Sequence, residues 1–114
     1  MHELAIAIDL LAAVRRNLES VDARVVRVIV NVGSAAGIAT DSLRLAFHAI
    51  ASGTREDSAE LVLTIVAARS RCTNCSKVFE FSGVIGRCPV CARLGGELLS
   101  GDEVMLRAIE VTDV

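Results

Sequence analysis

The stretch CTNCSKVFEFSGVIGRCPVC, residues 72–91, decides how the rest of the chain is read. It holds all four cysteines of the 114-residue sequence as two Cys-x-x-Cys pairs, Cys72 with Cys75 and Cys88 with Cys91, twelve residues apart. A two-residue gap lets each pair curl so that both sulfurs face one point, and two such turns supply four thiolates to one tetrahedral ion. Turn amides can donate to those sulfurs and steady them. In a secreted chain the four would form disulfides instead, in one of three connectivities. The start, Met1-His2-Glu3, has neither the basic nor the apolar run of a secretory signal. No apolar run approaches the ~20 residues needed to cross a bilayer. The expectation is therefore a cytoplasmic chain whose thiols are reduced and bind metal. A redox dithiol is the alternative, but thioredoxin-type sites use one pair in a βαβ setting. Four protein ligands leave no open position, so Zn(II) held by Cys72, Cys75, Cys88 and Cys91 is expected to be structural.

The surroundings of this window, about residues 70–100, also hold the only proline and Gly83, Gly86, Gly95 and Gly96. Large apolar residues are too few there to bury a core, and units of this kind depend on a metal. The flanks differ. From Glu3 to Glu19, Leu4, Ala7, Ile8, Leu11, Val14 and Leu18 recur at helical spacing, with Asp9 and Arg16 on the other side. Ser20 and Asp22 break that rhythm. Arg24 to Val32 then carries five Val and one Ile in nine residues, a strand composition. Gly33 to Ala39 is expected to be a loop, with Gly33 and Gly37 available for positive φ. Thr40, Asp41 and Ser42 offer N-cap side chains to a second helix with Leu43, Ala46, Phe47 and Ile50 on one face, and Gly53 ends it. Glu60–Ala67 and Glu103–Val111 are two further strands, the first with Leu61, Leu63 and Ile65 on one face.

The order α-β-α-β, cysteine module, β predicts an α+β fold: two helices packed on one face of a three-stranded sheet, with an inserted zinc-ribbon-like module. The expected domains are residues 1–69 with 101–114, and 70–100. A net charge of −2 gives no footprint for nucleic acid or an acidic membrane. With three Phe and no Trp or Tyr, stacking on bases is disfavoured and the core must be aliphatic. No nucleophile–base pair is apparent, so no enzyme is expected. Exposed strand edges leave room for a homodimer.

A zinc ribbon alone does not define a function, and Met1-His2-Glu3 is the discriminating feature. The bulk of His2 predicts that Met1 is retained. The Met1 α-amine, the His2 backbone nitrogen and imidazole, and the Glu3 amide nitrogen or carboxylate could then chelate one ion. Such nitrogen-rich planar sets suit Ni(II) or Cu(II), and copper wins on raw affinity. Taken alone, the tripeptide could equally be a start codon before a helix, with Glu3 offsetting the helix dipole. His48 is expected to be structural or at the surface. Asp41 is an N-cap or a supplementary nickel ligand, and the Arg15-Arg16 pair a solvated face or a contact for an acidic partner.

The sequence resembles the HypA/HybF family of hydrogenase and urease nickel-incorporation proteins over nearly its whole length. The resemblance rests on Met1-His2-Glu3-Leu4, Val32-Gly33, Gly37-Ile38, Leu43-Arg44-Leu45-Ala46-Phe47, Gly53-Thr54 and Ala59-Glu60-Leu61. It continues through Cys72-x-x-Cys75, Cys88-Pro89-x-Cys91 and Ser100-Gly101-Asp102-Glu103. It implies a nickel metallochaperone with a nickel domain and a zinc domain. His2 would anchor Ni(II) as transferred cargo beside the Met1 amine and Glu3 backbone, and the four cysteines would hold the zinc. The implied partners are a nickel-handling GTPase of hydrogenase maturation and the hydrogenase large-subunit precursor, or urease accessory proteins. No Gly-x-x-x-x-Gly-Lys-Ser/Thr motif occurs, so GTP chemistry would belong to a partner. Ala5 stands where the family often has Ser. Ser76 and Ala92 follow the cysteine pairs where some relatives carry His, so a pH-driven ligand exchange is not expected here. A zinc-ribbon interaction module without nickel and a thiol oxidoreductase are the rival functions, the latter needing an exposed thiol of low pKa.

Overall fold

The computed structural model describes residues 2–113 and has the expected α+β class. Helix α1 spans Glu3–Asn17, strand β1 Ala23–Gly33, a 3-10 turn Ser34–Ala36, and helix α2 Thr40–Ala51. Strand β2 is Glu60–Val66, and β6, the last strand, is Val104–Asp113. Three short strands lie between them: β3 (Ala68–Arg71), β4 (Val78–Phe81) and β5 (Glu97–Ser100). Contacts divide the chain into two compact units, one of residues 1–30, 38–64 and 105–114, the other of 31–37 and 65–104.

The first unit is built on the sheet β2-β1-β6. Its core is aliphatic, as the composition demands: Ala7, Leu10, Leu11, Val14, Val25, Val28, Val30, Leu43, Leu61 and one ring, Phe47. The apolar face of α1 is not quite the expected one. Leu4 and Ile8 are 55% and 51% exposed, whereas Leu10 is buried. Between residues 4 and 14 every side chain except Asp9 is apolar, so periodicity cannot single out one stripe, and packing against α2 selects the Ala7-Leu10-Leu11-Val14 face. Ile8 instead lines an open groove of about 610 Å³ together with Leu11, Ala12, Arg15, Arg16, Glu19 and Ile50.

The start of α2 also departs from expectation. Neither Thr40, Asp41 nor Ser42 caps it; Ala39 is the N-cap residue and contributes no side-chain bond. The Ala39 N–H donates to the Glu3 carboxylate at 3.0 Å, so the start of α2 is held by the first residue of α1. Asp41 is exposed and pairs with Arg44. Arg15 is not a merely solvated charge, because its guanidinium donates twice to Glu56, at 3.1 and 3.0 Å. Glu56 is 1% exposed and also accepts from Arg55 and Thr54. Arg55 in turn donates to the Leu18 and Val21 carbonyls just beyond α1.

In the second unit the sheet order is β4-β3-β5, with β3 antiparallel to both neighbours and a bulge between Arg69 and Ser70. Gly37 has φ +65°, as expected, but Gly33 does not adopt positive φ. Gly33 is required for space instead: a Cβ there would lie 2.1 Å from the Gly101 carbonyl oxygen. Among the described residues no helix is long and apolar enough to cross a membrane.

Candidate metal centre

The two Cys-x-x-Cys turns are built alike. Ser76 N–H donates to the Cys72 carbonyl and Cys72 N–H to that of Lys77; Ala92 N–H donates to Cys88 and Cys88 N–H to Arg93. Ser76 and Ala92 close these loops in the left-handed region, at φ +66° and +64°. Each curled loop turns its two sulfurs inward. The four Sγ atoms all lie within 4.8 Å of one another, with Cys72 to Cys91 at 3.4 Å and Cys75 to Cys88 at 3.6 Å. Zn–S bonds of ~2.3 Å in a tetrahedron require sulfur separations of roughly 3.8 Å, so the observed cluster fits such an ion. The Asn74 amide points at the Cys72 sulfur from 3.4 Å, the expected turn-amide support.

The thiols are electrostatically unequal. The Arg93 amide, followed by the Asn74 side chain, holds Cys91 down to about 6. The Cys91 amide lowers Cys88 against the opposing effect of desolvation. Cys75 is pushed up to about 11: the Lys77 amide acts to lower it, but desolvation and hydrogen bonds with the other three thiols outweigh that. Part of the cluster is thus readily ionised, as metal ligation requires. Cys72 and Cys88 are buried and pack with Phe79, and Phe81 and Cys91 border that small cluster. The Cys72 and Cys88 side chains are therefore part of an apolar cluster in this unit.

The N-terminal residues behave differently. His2 is exposed and precedes α1 as its N-cap residue, its carbonyl accepting from the Ile6 amide. Glu3 is 8% exposed with one carboxylate oxygen on Ala39. Met1, the third residue expected at this end, lies outside the described residues. His48 does not join His2 or the cysteines. Its Nε2 lies 3.1 Å from the Ala59 carbonyl oxygen and its ring meets Phe47 edge-on, a structural position. Residue-level reasoning missed the Glu3–Ala39 bond and the Glu56 cluster, both of which join segments distant in sequence.

An α+β chain with a four-cysteine cluster suited to a closed structural metal site falls in the broad class of small proteins carrying a zinc module. Residues 1–111 match the family described as hydrogenase/urease nickel incorporation, metallochaperone, hypA, and the chain belongs to that family. It is 32% identical over 112 residues to the hydrogenase maturation factor HypA of Picosynechococcus sp. (strain ATCC 27264 / PCC 7002 / PR-6), covering 97% of this chain and 99% of that protein. Its fold is similar to the solution structure of the Ni metallochaperone HypA from Helicobacter pylori, at a TM-score of 0.67 and 22% identity with both chains covered completely. A second solution structure of a HypA protein gives a TM-score of 0.57 at 24% identity, covering 98% of this chain and 97% of that one. Members of the family handle nickel as cargo, and the cysteine cluster suits structural zinc.

Proposed function

We propose that this chain carries Ni(II) at its N-terminus and delivers it for maturation of a NiFe-hydrogenase or of urease. The ligands are the Met1 amine, the His2 backbone nitrogen and imidazole, and the Glu3 backbone nitrogen. The observation that carries this reading is the family match over residues 1–111, combined with an exposed His2 at the very start of α1. Engagement of the Glu3 carboxylate with Ala39 favours its backbone over its side chain as donor. An exposed site also suits a carrier, since release proceeds by ligand exchange with the recipient. The recipients are a nickel-handling GTPase and the hydrogenase large-subunit precursor, or urease accessory proteins, in the cytoplasm. Residues 70–100 form the zinc module, in which Cys72, Cys75, Cys88 and Cys91 hold Zn(II) without an open position and so serve stability. No catalytic turnover belongs to this chain.

Calorimetric Ni(II) titration tests the site. His2→Ala is expected to abolish tight nickel binding while elemental analysis still returns one zinc per chain and circular dichroism is unchanged. An N-terminal extension that blocks the Met1 amine is expected to have the same effect. Unaltered nickel binding in both variants would overturn the N-terminal site.

A further inference from the structure

Residues 84–94 of the second unit carry four aliphatic side chains, Val84, Ile85, Val90 and Leu94, that are each between 55% and 67% exposed. The backbone explains why they face outward. Arg87 and Leu94 are bridged antiparallel, the Cys88 N–H donates to the Arg93 carbonyl at 2.9 Å, and the Gly95 N–H donates to that of Gly86 at 2.7 Å. This hairpin carries Cys88-Pro89-Val90-Cys91 at its tip. Its inner side is tightly packed: a Cβ on Gly86 would lie 2.5 Å from the Phe81 ring, and Cys88 is buried with Phe79. Opposed residues share a face and successive residues alternate, so Arg87 and Leu94 stand on the outer side. Ile85 lies beside them, its Cδ1 3.7 Å from where a Cβ on Gly95 would be. The charge on this hairpin has one sign. Residues 81–96 contain no Asp or Glu, while Arg87 and Arg93 are exposed and neither has a carboxylate partner among the described residues. Glu97, the next acidic residue, is taken by Arg71. One Arg87 nitrogen donates to the Ala92 carbonyl at 2.7 Å, which anchors the guanidinium on the hairpin and leaves its other N–H groups for a ligand.

We propose that the outer face of this hairpin docks an acidic, aliphatic segment of another protein. Ile85 and Leu94, with Val84 beside them, receive its aliphatic side chains, and Arg87 binds a carboxylate through its free N–H groups. Exposed apolar patches mark interaction sites, and arginine set among apolar side chains is typical of interface centres. On a chain whose net charge is −2, this face is locally cationic, so an acidic segment is directed to it and not to the remaining surface. An anionic membrane would meet the same charge. The sequence contains no Trp or Tyr, however, the side chains that seat proteins among lipid headgroups. The surface lies wholly in the second unit and does not rest on the N-terminal nickel reading.

NMR titration of the zinc-loaded full chain with the acetylated, amidated peptide Asp-Leu-Glu-Ile-Asp-Leu provides the test. Saturable shifts are expected at Val84, Ile85, Arg87 and Leu94, with binding that weakens as salt rises. The same peptide with Lys at every acidic position is expected not to bind. R87E is expected to weaken binding by at least about tenfold, because it sets like charges together. I85S/L94S is expected to weaken it comparably while elemental analysis still returns one zinc per chain, since both side chains are exposed. R16E, on α1, is expected to bind as the wild type does. Absence of saturable shifts at the hairpin, indifference to R87E, or equal binding of the Lys peptide would sink the proposal. Binding to phosphatidylglycerol vesicles that R87E abolishes, without binding of the acidic peptide, would assign the face to a membrane and sink it equally.

Discussion

Glu56 illustrates how one residue can do more than its sequence neighbourhood announces. Its buried carboxylate gathers Arg15, Arg55 and Thr54, and Arg55 extends the network to the carbonyls that follow α1. A buried charge persists only when paired and hydrogen-bonded, and this one is bonded on both oxygens. Replacing it with Ala strands two guanidinium groups, but these are 48% and 33% exposed and can turn to water. The expected cost of Glu56→Ala is therefore about 1–3 kcal/mol, below that of breaking a fully buried pair. The midpoint of urea unfolding measures it. Nothing in the string Gly53-Thr54-Arg55-Glu56 foretold this role, because the partner guanidinium lies 41 positions away on α1. His2 is the opposite case. Its position at the start of α1 is legible in the sequence, and the nickel chelate proposed for it would use only adjacent residues.

At the scale of elements, legibility followed length. Both helices and the strands β1, β2 and β6 were readable because each carries enough residues for a period or a β-branched run to stand out. The strands β3, β4 and β5, four residues each, escaped notice. Their pairing is set by register, with Ser70 opposite Phe79 on one side and Leu98 on the other, not by any pattern within each strand. The face of α1 was legible only in part, since a helix apolar on most sides has no preferred stripe until it packs. That correction has a measurable consequence. Leu10→Ala is expected to destabilise by about 2–4 kcal/mol through loss of buried volume, whereas Ile8→Ala, at a half-exposed position, costs less than about 1 kcal/mol. Equal losses in thermal or denaturant unfolding would contradict this assignment. The expected Thr40-Asp41-Ser42 cap is absent because the helix starts earlier, with Ala39 in the N-cap position and those three residues inside the first turn, while Glu3 accepts from the Ala39 amide.

The whole molecule consists of two units with different sources of stability. One buries a broad aliphatic core; the other has a cluster made largely of its own metal-ligating sulfurs. Binding of a structural metal supplies folding free energy, so chelation of zinc, or Cys75→Ser, is expected to release amide protection in β3, β4 and β5. Helical circular dichroism from α1 and α2 is expected to persist. Hydrogen exchange resolved by residue checks both, and simultaneous loss of the two signals would contradict separate stabilisation. By itself the sequence determined the α+β class, the convergence of Cys72, Cys75, Cys88 and Cys91, and the family, because cysteine spacing and helical or strand periodicity act over a few residues of chain. Only the tertiary structure decided which face of α1 is buried, that Glu3 holds the start of α2, and that Gly33 is needed for space beside Gly101. Each of these depends on atoms brought together from distant positions, where packing and hydrogen-bond satisfaction override local preference.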